Sequence, residues 1–315
     1  MKSFAFVFPG QGSQSVGMLD AWGDHPVIAQ TLAEASSALN TDLALLIATG
    51  PKEALSLTIN TQPVMLAASV AVYRAWVAET GLIPAAVAGH SLGEYAALVA
   101  AGAMSLTDAV PLVRFRAQAM QDAVPLGVGA MAAIMGMPAA DVIALCAQAS
   151  SSMANAEEVV EAVNFNDPTQ TVIAGSKAAV DHACELLRAN GAKRAIVLAV
   201  SAPFHSSLMK PAAEHLRQKL SEVTLTPPQI PLINNADVAV ETDAERIRDA
   251  LYRQAFGPVR WVECIQTLKQ LGLTTVVECG PGKVLTGLVK RIDLDLTGVS
   301  LADPASLAAL KELLA

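Results

Sequence analysis

Residues 85–102 constrain this chain more than any other stretch. An apolar run over 85–88 leads into Gly89-His90-Ser91-Leu92-Gly93-Glu94-Tyr95, and an alanine-rich apolar run over 95–101 follows, closed by Gly102. The pattern reads as a short buried strand, a five-residue turn and a helix start. Its centre spells G-x-S-x-G. Two glycines there permit a turn too tight for larger side chains, which pushes the serine hydroxyl out to where a substrate carbonyl can reach it. Ser91 is therefore a candidate nucleophile, and the bland alternative is a serine that caps its helix.

Composition narrows the chemistry. A chain of 315 residues with 53% hydrophobic content buries a large core, in one large domain or a large one carrying a smaller one. A net charge of -8 and a pI near 5.1 speak against nucleic acid, which calls for a basic stripe. Cys146, Cys184, Cys264 and Cys279 are far apart with no C-x-x-C pair, so buried free thiols are expected rather than disulfides or a zinc site. The apolar run in residues 1–9 stops at Pro9, too early for a signal peptide, and reads as the first strand. Residues 63–78 are too short for a membrane span and carry Arg74, so they read as a buried helix with Pro63 in its first turn. No membrane association and a cytoplasmic location are expected.

Along the chain, a strand over 3–8 breaks at Pro9-Gly10-Gln11-Gly12. A dinucleotide-binding reading of that loop is weak, since Ser15 stands where G-x-G-x-x-G needs its third glycine. The other use of such a loop is to offer backbone N–H groups and the Gln11 side chain to an anionic oxygen. Helical spacing runs over about 26–57, and Ser105-Leu106-Thr107-Asp108 opens a helix reaching about Asp122. On that helix Arg116 falls among Leu112, Val113, Ala117 and Met120, whereas Arg114 points to solvent. From Gly129 onward the order is strand 130–135, helix 139–149, strands 159–164 and 171–174, helix 177–189 and strand 194–200, with Ser150-Ser151-Ser152 in a loop. That is a β-α-β-β-α-β unit, the order of a ferredoxin-like domain. The expected organisation is an α/β protein: a discontinuous α/β-hydrolase-like domain with a parallel sheet over 1–127 and 201–315, carrying a small ferredoxin-like domain over 128–200. Helices flanking Gly257-Pro258, a buried strand over 275–278 and a last helix after Gly280-Pro281-Gly282 complete the chain.

A serine hydroxyl needs a base, and histidine is the usual one. Of five histidines, His205 stands where the chain re-enters the large domain at a loop-to-helix junction, the place an acyl-transfer site draws its base. Its alternative is a loop histidine satisfied by backbone. Arg116 on an apolar helix face needs a partner, either a substrate carboxylate held bidentately or a protein acid in a buried ion pair.

Phe8-Pro9-Gly10-Gln11-Gly12-Ser13-Gln14, Gly89-His90-Ser91-Leu92-Gly93-Glu94-Tyr95, the Arg116 helix leading into 127–133, Ala202-Pro203-Phe204-His205-Ser206 and Gly280-Pro281-Gly282-Lys283 together resemble the malonyl-CoA:acyl-carrier-protein transacylases. The resemblance runs in order through nearly the whole chain. It implies a ping-pong transfer in which Ser91 takes malonyl from malonyl-CoA and passes it to the phosphopantetheine thiol of acyl carrier protein. It implies further that His205 is base and acid, that Arg116 holds the malonyl carboxylate, and that the backbone N–H groups of Gln11 and Leu92 form the oxyanion hole. By the same match Gln254 orients the histidine through its main-chain carbonyl, Asn166 in the Asn164-Phe165-Asn166 loop lines the cleft between domains from behind the residues that touch substrate, and Phe204 disfavours methylmalonyl over malonyl. No cofactor or metal is implied, since the coenzyme A thioester enters as substrate, and a monomer is expected. Arg188, Lys193, Arg194, Lys283 and Lys290 are candidates for docking the acidic carrier protein. The competing reading is a serine esterase or thioesterase on a related scaffold, with water as acceptor.

Overall fold

This computed structural model describes residues 2–315; Met1, the first residue of the expected 1–9 segment, lies outside the described residues. The first third of the chain runs β1 (Phe4–Phe8), α1 (Pro26–Leu39), α2 (Leu43–Thr49), α3 (Lys52–Ser56), α4 (Thr58–Thr80), β2 (Ala86–Gly89), α5 (Gly93–Ala100) and α6 (Leu106–Asp122). A middle section follows with β3 (Gly129–Met135), α7 (Ala139–Ser152), β4 (Val160–Asp167), β5 (Gln170–Ser176), α8 (Lys177–Ala189) and β6 (Arg194–Val197). The last third holds α9 (Lys210–Ser221), β7 (Leu232–Ile233), α10 (Ala244–Phe256), α11 (Trp261–Gln270), β8 (Thr275–Cys279), α12 (Val284–Ile292), β9 (Thr297–Leu301) and α13 (Pro304–Leu314).

The first and last thirds share one parallel sheet in the order β7-β2-β1-β8-β9. Its central strand β1 shows why the sheet is buried on both faces. Successive side chains alternate, so Phe4, Phe6 and Phe8 pack with Trp76 and Tyr73 of α4, while Ala5 and Val7 face Trp261, Ile265 and Leu268 of α11. Parallel strands deliver their carboxyl ends to one edge. There β1 opens into Pro9-Gly10-Gln11, β2 into Ser91, and β7 into Asn234-Asn235, which makes that edge the natural place for a site.

The middle section is an antiparallel sheet in the order β4-β5-β3-β6. One face buries Ile134, Ile173, Cys146 and Leu187 against α7 and α8. The opposite face contributes Met131, Val163 and Val172 to the main core, so the two sheets share apolar packing. Backbone bonds also join them: Phe165 N–H donates to Val259 O (3.0 Å) and Val259 N–H to Val163 O (2.8 Å). Among the described residues, no helix is long and apolar enough to cross a membrane. All four cysteines are buried free thiols.

Several expectations need correcting. Helical spacing over 26–57 resolves into three helices, because Asn40 takes a left-handed conformation that ends α1 and the Asp42 carboxylate caps α2 by accepting from Leu45 N–H (2.9 Å). Pro63 sits in the second turn of α4, whose earlier start is held by the Thr61 hydroxyl donating to Leu55 O (2.7 Å). Ser150-Ser151-Ser152 extends α7, since Ser151 and Ser152 return their hydroxyls to Ala147 and Ala149 carbonyls (both 2.8 Å) and so stay helical. Arg114 is half-buried rather than free in solvent, with Nε buried and unpartnered among the described residues. The helix after Gly282 is followed by β9 and α13; β9 is an edge strand with exposed and half-buried positions, and it lacks the solid apolar run that marks the central strands.

Candidate active site

The turn after β2 is as tight as the chain allows. A Cβ on Gly89 would lie 1.9 Å from Gly93 C, and one on Gly93 would lie 2.0 Å from Phe8 O, so neither position accepts a side chain. Between them Ser91 holds φ 52°, in the left-handed region that costs a non-glycine residue. Asn235, from the end of β7, props the turn from beneath: Ser91 N–H donates to Asn235 Oδ1 (2.8 Å), and Asn235 Nδ2 donates to Gly89 O (2.8 Å).

His205 meets Ser91 from the loop that returns from the antiparallel sheet. Ser91 Oγ lies 2.7 Å from His205 Nε2, and His205 Nδ1 lies 2.8 Å from the main-chain carbonyl of Gln254. A carbonyl can only accept, so Nδ1 carries the proton and Nε2 is left to accept the serine hydroxyl. Burial, with the nearby Arg116 charge, pulls the His205 pKa down to about 3, which keeps the imidazole neutral. Ser91, His205 and Gln254 thus come together with a backbone oxygen where many hydrolases place a carboxylate.

Arg116 lies beside them, 2% exposed. Its Nη1 donates to Gln62 Oε1 (2.8 Å), and Nη2 to Ser91 Oγ (3.2 Å) and Gln254 Oε1 (3.1 Å), while its Cζ sits 5.5 Å from the Tyr95 ring centroid. These hydrogen-bond partners are all neutral, and Nε is buried with no partner among the described residues. Burial lowers the Arg116 pKa from its ordinary value. A protein acid in a direct ion pair, the alternative open from sequence, is not what holds this guanidinium.

Gln11, Leu92 and Phe204 border the same cavity of about 130 Å³ with Ser91, Arg116 and His205. The Gln11 side chain donates to Thr58 Oγ1 (3.1 Å), and among the described residues neither Gln11 N–H nor Leu92 N–H finds a protein acceptor. Asn166 stands one layer behind this cavity: its Oδ1 lies 2.8 Å from Nε2 of His90, which borders it. Irregularities in the β4 pairing on either side of Asn164-Phe165 break the strand's simple alternation, and Asn164 forms the wall itself. His90 turns toward Asn166 and lays its ring against Trp261, with centroids 5.4 Å apart.

Sequence reasoning missed Gln62, Asn235 and Glu94. Glu94 is 1% exposed, and its Oε2 accepts from Asn235 N–H (2.9 Å) and Gln254 Nε2 (2.8 Å). Burial raises its pKa to about 7. The available signals were slight: a glutamate within an apolar helix, and paired asparagines at the end of a buried strand.

The acyl transferase domain family matches residues 5–298, which places the chain among acyltransferases. The malonyl CoA-acyl carrier protein transacylase of Escherichia coli (strain K12) is 50% identical over 314 residues, covering 99% of this chain and 100% of that one. The crystal structure of acyl-carrier-protein S-malonyltransferase from Burkholderia pseudomallei 1710b is similar at TM-score 0.96 and 60% identity, covering 99% of this chain and 100% of the other. A malonyl-transacylase in complex with a type II PKS acyl-carrier protein is similar at TM-score 0.96 and 47% identity, with coverage of 99% and 100%. The chain belongs to the malonyl CoA-acyl carrier protein transacylase family.

Proposed function

We propose that the protein transfers a malonyl group from malonyl-CoA to the phosphopantetheine thiol of an acyl carrier protein, with Ser91 as the covalent way-station. The observation that carries this reading is Arg116: a buried guanidinium aimed at the nucleophile, with uncharged hydrogen-bond partners, in a cavity shared with Ser91 and His205. A free carboxylate on the incoming acyl group supplies the charge that such a guanidinium demands.

In the first half-reaction Ser91 Oγ attacks the thioester carbonyl as His205 Nε2 takes its proton. Gln11 and Leu92 offer backbone N–H groups to the oxyanion. The carbon–sulfur bond breaks, coenzyme A leaves as its thiol with the proton from His205, and malonyl remains as an ester on Ser91. In the second half the carrier-protein thiol gives its proton to His205 and attacks that ester, and Ser91 recovers the proton. The Gln254 carbonyl holds the imidazole in the tautomer both halves need. Phe204 limits bulk at the malonyl α-carbon. The coenzyme A thioester is substrate, and no other cofactor or metal enters the scheme.

The partner assignment draws on the relative seen with its acyl-carrier protein. We read the four-stranded unit over 128–200 as a ferredoxin-like insertion in an α/β-hydrolase-like domain over 1–127 and 201–315, a reading supported by its antiparallel 2-3-1-4 strand order. A cytoplasmic monomer fits the reaction. Intact-mass analysis after mixing with malonyl-CoA tests the scheme: a malonyl adduct that Ser91→Ala abolishes and carrier protein discharges supports it. Rapid loss to water instead makes the protein a hydrolase, and no adduct at all rejects the covalent route.

A further inference from the structure

Glu94 touches neither the cavity nor the reacting atoms, yet both of its contacts lead to them. Asn235, whose backbone N–H it accepts, caps the strained Ser91 N–H and holds Gly89 O. Gln254, whose Nε2 it accepts, spends the same amide on Ser91 O (3.1 Å), its Oε1 on Arg116, and its main-chain oxygen on His205. One carboxylate thus anchors two residues that between them set the serine, the histidine and the arginine.

We infer that Glu94 is a positioning residue for acyl transfer, fixing Ser91 through Asn235 and fixing Arg116 and the Gln254 support of His205 through the Gln254 amide. The acid that a serine–histidine pair ordinarily keeps on its imidazole is here one residue further back, acting through an asparagine and a glutamine. What it supplies is a pair of hydrogen-bond acceptances, so a neutral acceptor of the same length does the same work. The elevated Glu94 pKa agrees, since burial already favours the uncharged form. The charged or titratable groups around it are Arg116, Tyr95, Asp237 and Cys264.

The inference rests on the Ser91 route proposed above, and the test separates the two. Single-turnover malonylation of Ser91 is followed by rapid quench and intact mass, alongside phosphonylation by a fluorophosphonate, which carries no carboxylate and does not call on Arg116. Absence of a malonyl adduct on the parent enzyme would reject the proposed function itself. With the parent active, Glu94→Ala is expected to slow both reactions by about 10- to 100-fold, while Glu94→Gln recovers most of the loss. A folded Glu94→Ala enzyme with both rates within twofold of the parent overturns the inference. If that variant does not fold, Glu94→Gln and Asn235→Ala decide: the inference requires near-parental rates in the first and a tenfold or greater loss in the second, and either opposite result overturns it.

Discussion

Ser91 and His205, joined by a 2.7 Å hydrogen bond, both hold left-handed backbone, with φ of 52° and 66°. A non-glycine residue in that region costs on the order of 1 kcal/mol or more, and two facing each other are held only because the surroundings over-determine them. For Ser91 the restraint comes from Asn235 and the two glycines that admit no Cβ; for His205 it comes from the Gln254 carbonyl and burial. The strain buys an exposed hydroxyl and an imidazole whose free lone pair faces it.

That geometry fixes a pH response. With His205 held neutral down to about pH 3, Ser91 acylation should show no break near the ordinary histidine value of 6.5, and a single-turnover series between about pH 5 and 8 checks this. Stability has two limbs. His205 binds its proton less readily folded than unfolded, so its contribution is present above 6.5 and is lost as pH falls toward 3. Glu94, raised from 4.5 to about 7, runs the other way: its contribution is full below 4.5 and lost as pH rises through 7. Thermal melts should therefore show a smaller alkaline decline in Glu94→Gln than in the parent.

How much of this was legible in the sequence follows from how local each feature is. The elbow is local, because two glycines, a serine and the flanking apolar runs are contiguous; β1 is equally plain from its alternating phenylalanines. The antiparallel unit reads from its order of periods. What could not be read are the long-range polar partners: Asn235 lies 144 residues from Ser91, and Gln254 lies 160 from Glu94, so no spacing links them. His205 was reached from its place at the loop-to-helix junction where the chain leaves the antiparallel unit, Arg116 from its inward-facing helix position, and Gln254 only through the family resemblance. The same resemblance placed Asn166 behind the site, where it meets His90; that strand irregularity brings Asn164 to the cavity itself was not readable from spacing.

Two glycine substitutions should separate a packed position from a merely permissive one. Gly93→Ala drives a methyl to 2.0 Å from a backbone oxygen, and the elbow cannot retreat without moving Ser91, so a loss of about 3 kcal/mol or more is expected. Gly287→Ala, inside α12 with its nearest obstacle a flexible Arg291 tip at 3.7 Å, should gain about 0.5–1 kcal/mol from helix propensity. Denaturant midpoints at constant slope read both.

Arg116→Ala should cut kcat/KM for malonyl-CoA by about 10²- to 10³-fold, the loss of roughly 3–4 kcal/mol of charge-assisted hydrogen bonding. Acetyl-CoA, which has no carboxylate to place, should lose far less, so the malonyl-to-acetyl preference collapses. Arg116→Lys should rescue little, because an ammonium cannot reproduce the fork that now spans Gln62, Gln254 and Ser91. An unchanged malonyl-to-acetyl ratio in Arg116→Ala would remove Arg116 from the substrate site.

Phe204 tests whether the cavity selects at the α-carbon. It is 9% exposed, sits one residue before His205, and shares a cavity of about 130 Å³ with Leu198, Val200 and Ser91. A ring there opposes an added methyl by steric exclusion, and one methyl in a pocket is worth about 1–3 kcal/mol, a preference of roughly 10- to 200-fold. Phe204→Ser opens that wall without touching the Ser91–His205 bond. Methylmalonyl-CoA should then gain on malonyl-CoA by about tenfold or more in competing single-turnover acylation, with the malonyl rate itself changed much less. If the ratio stays at the parental value, the selecting surface lies elsewhere in the cavity, and Met120 and Met131, which border it from α6 and β3, become the side chains to vary.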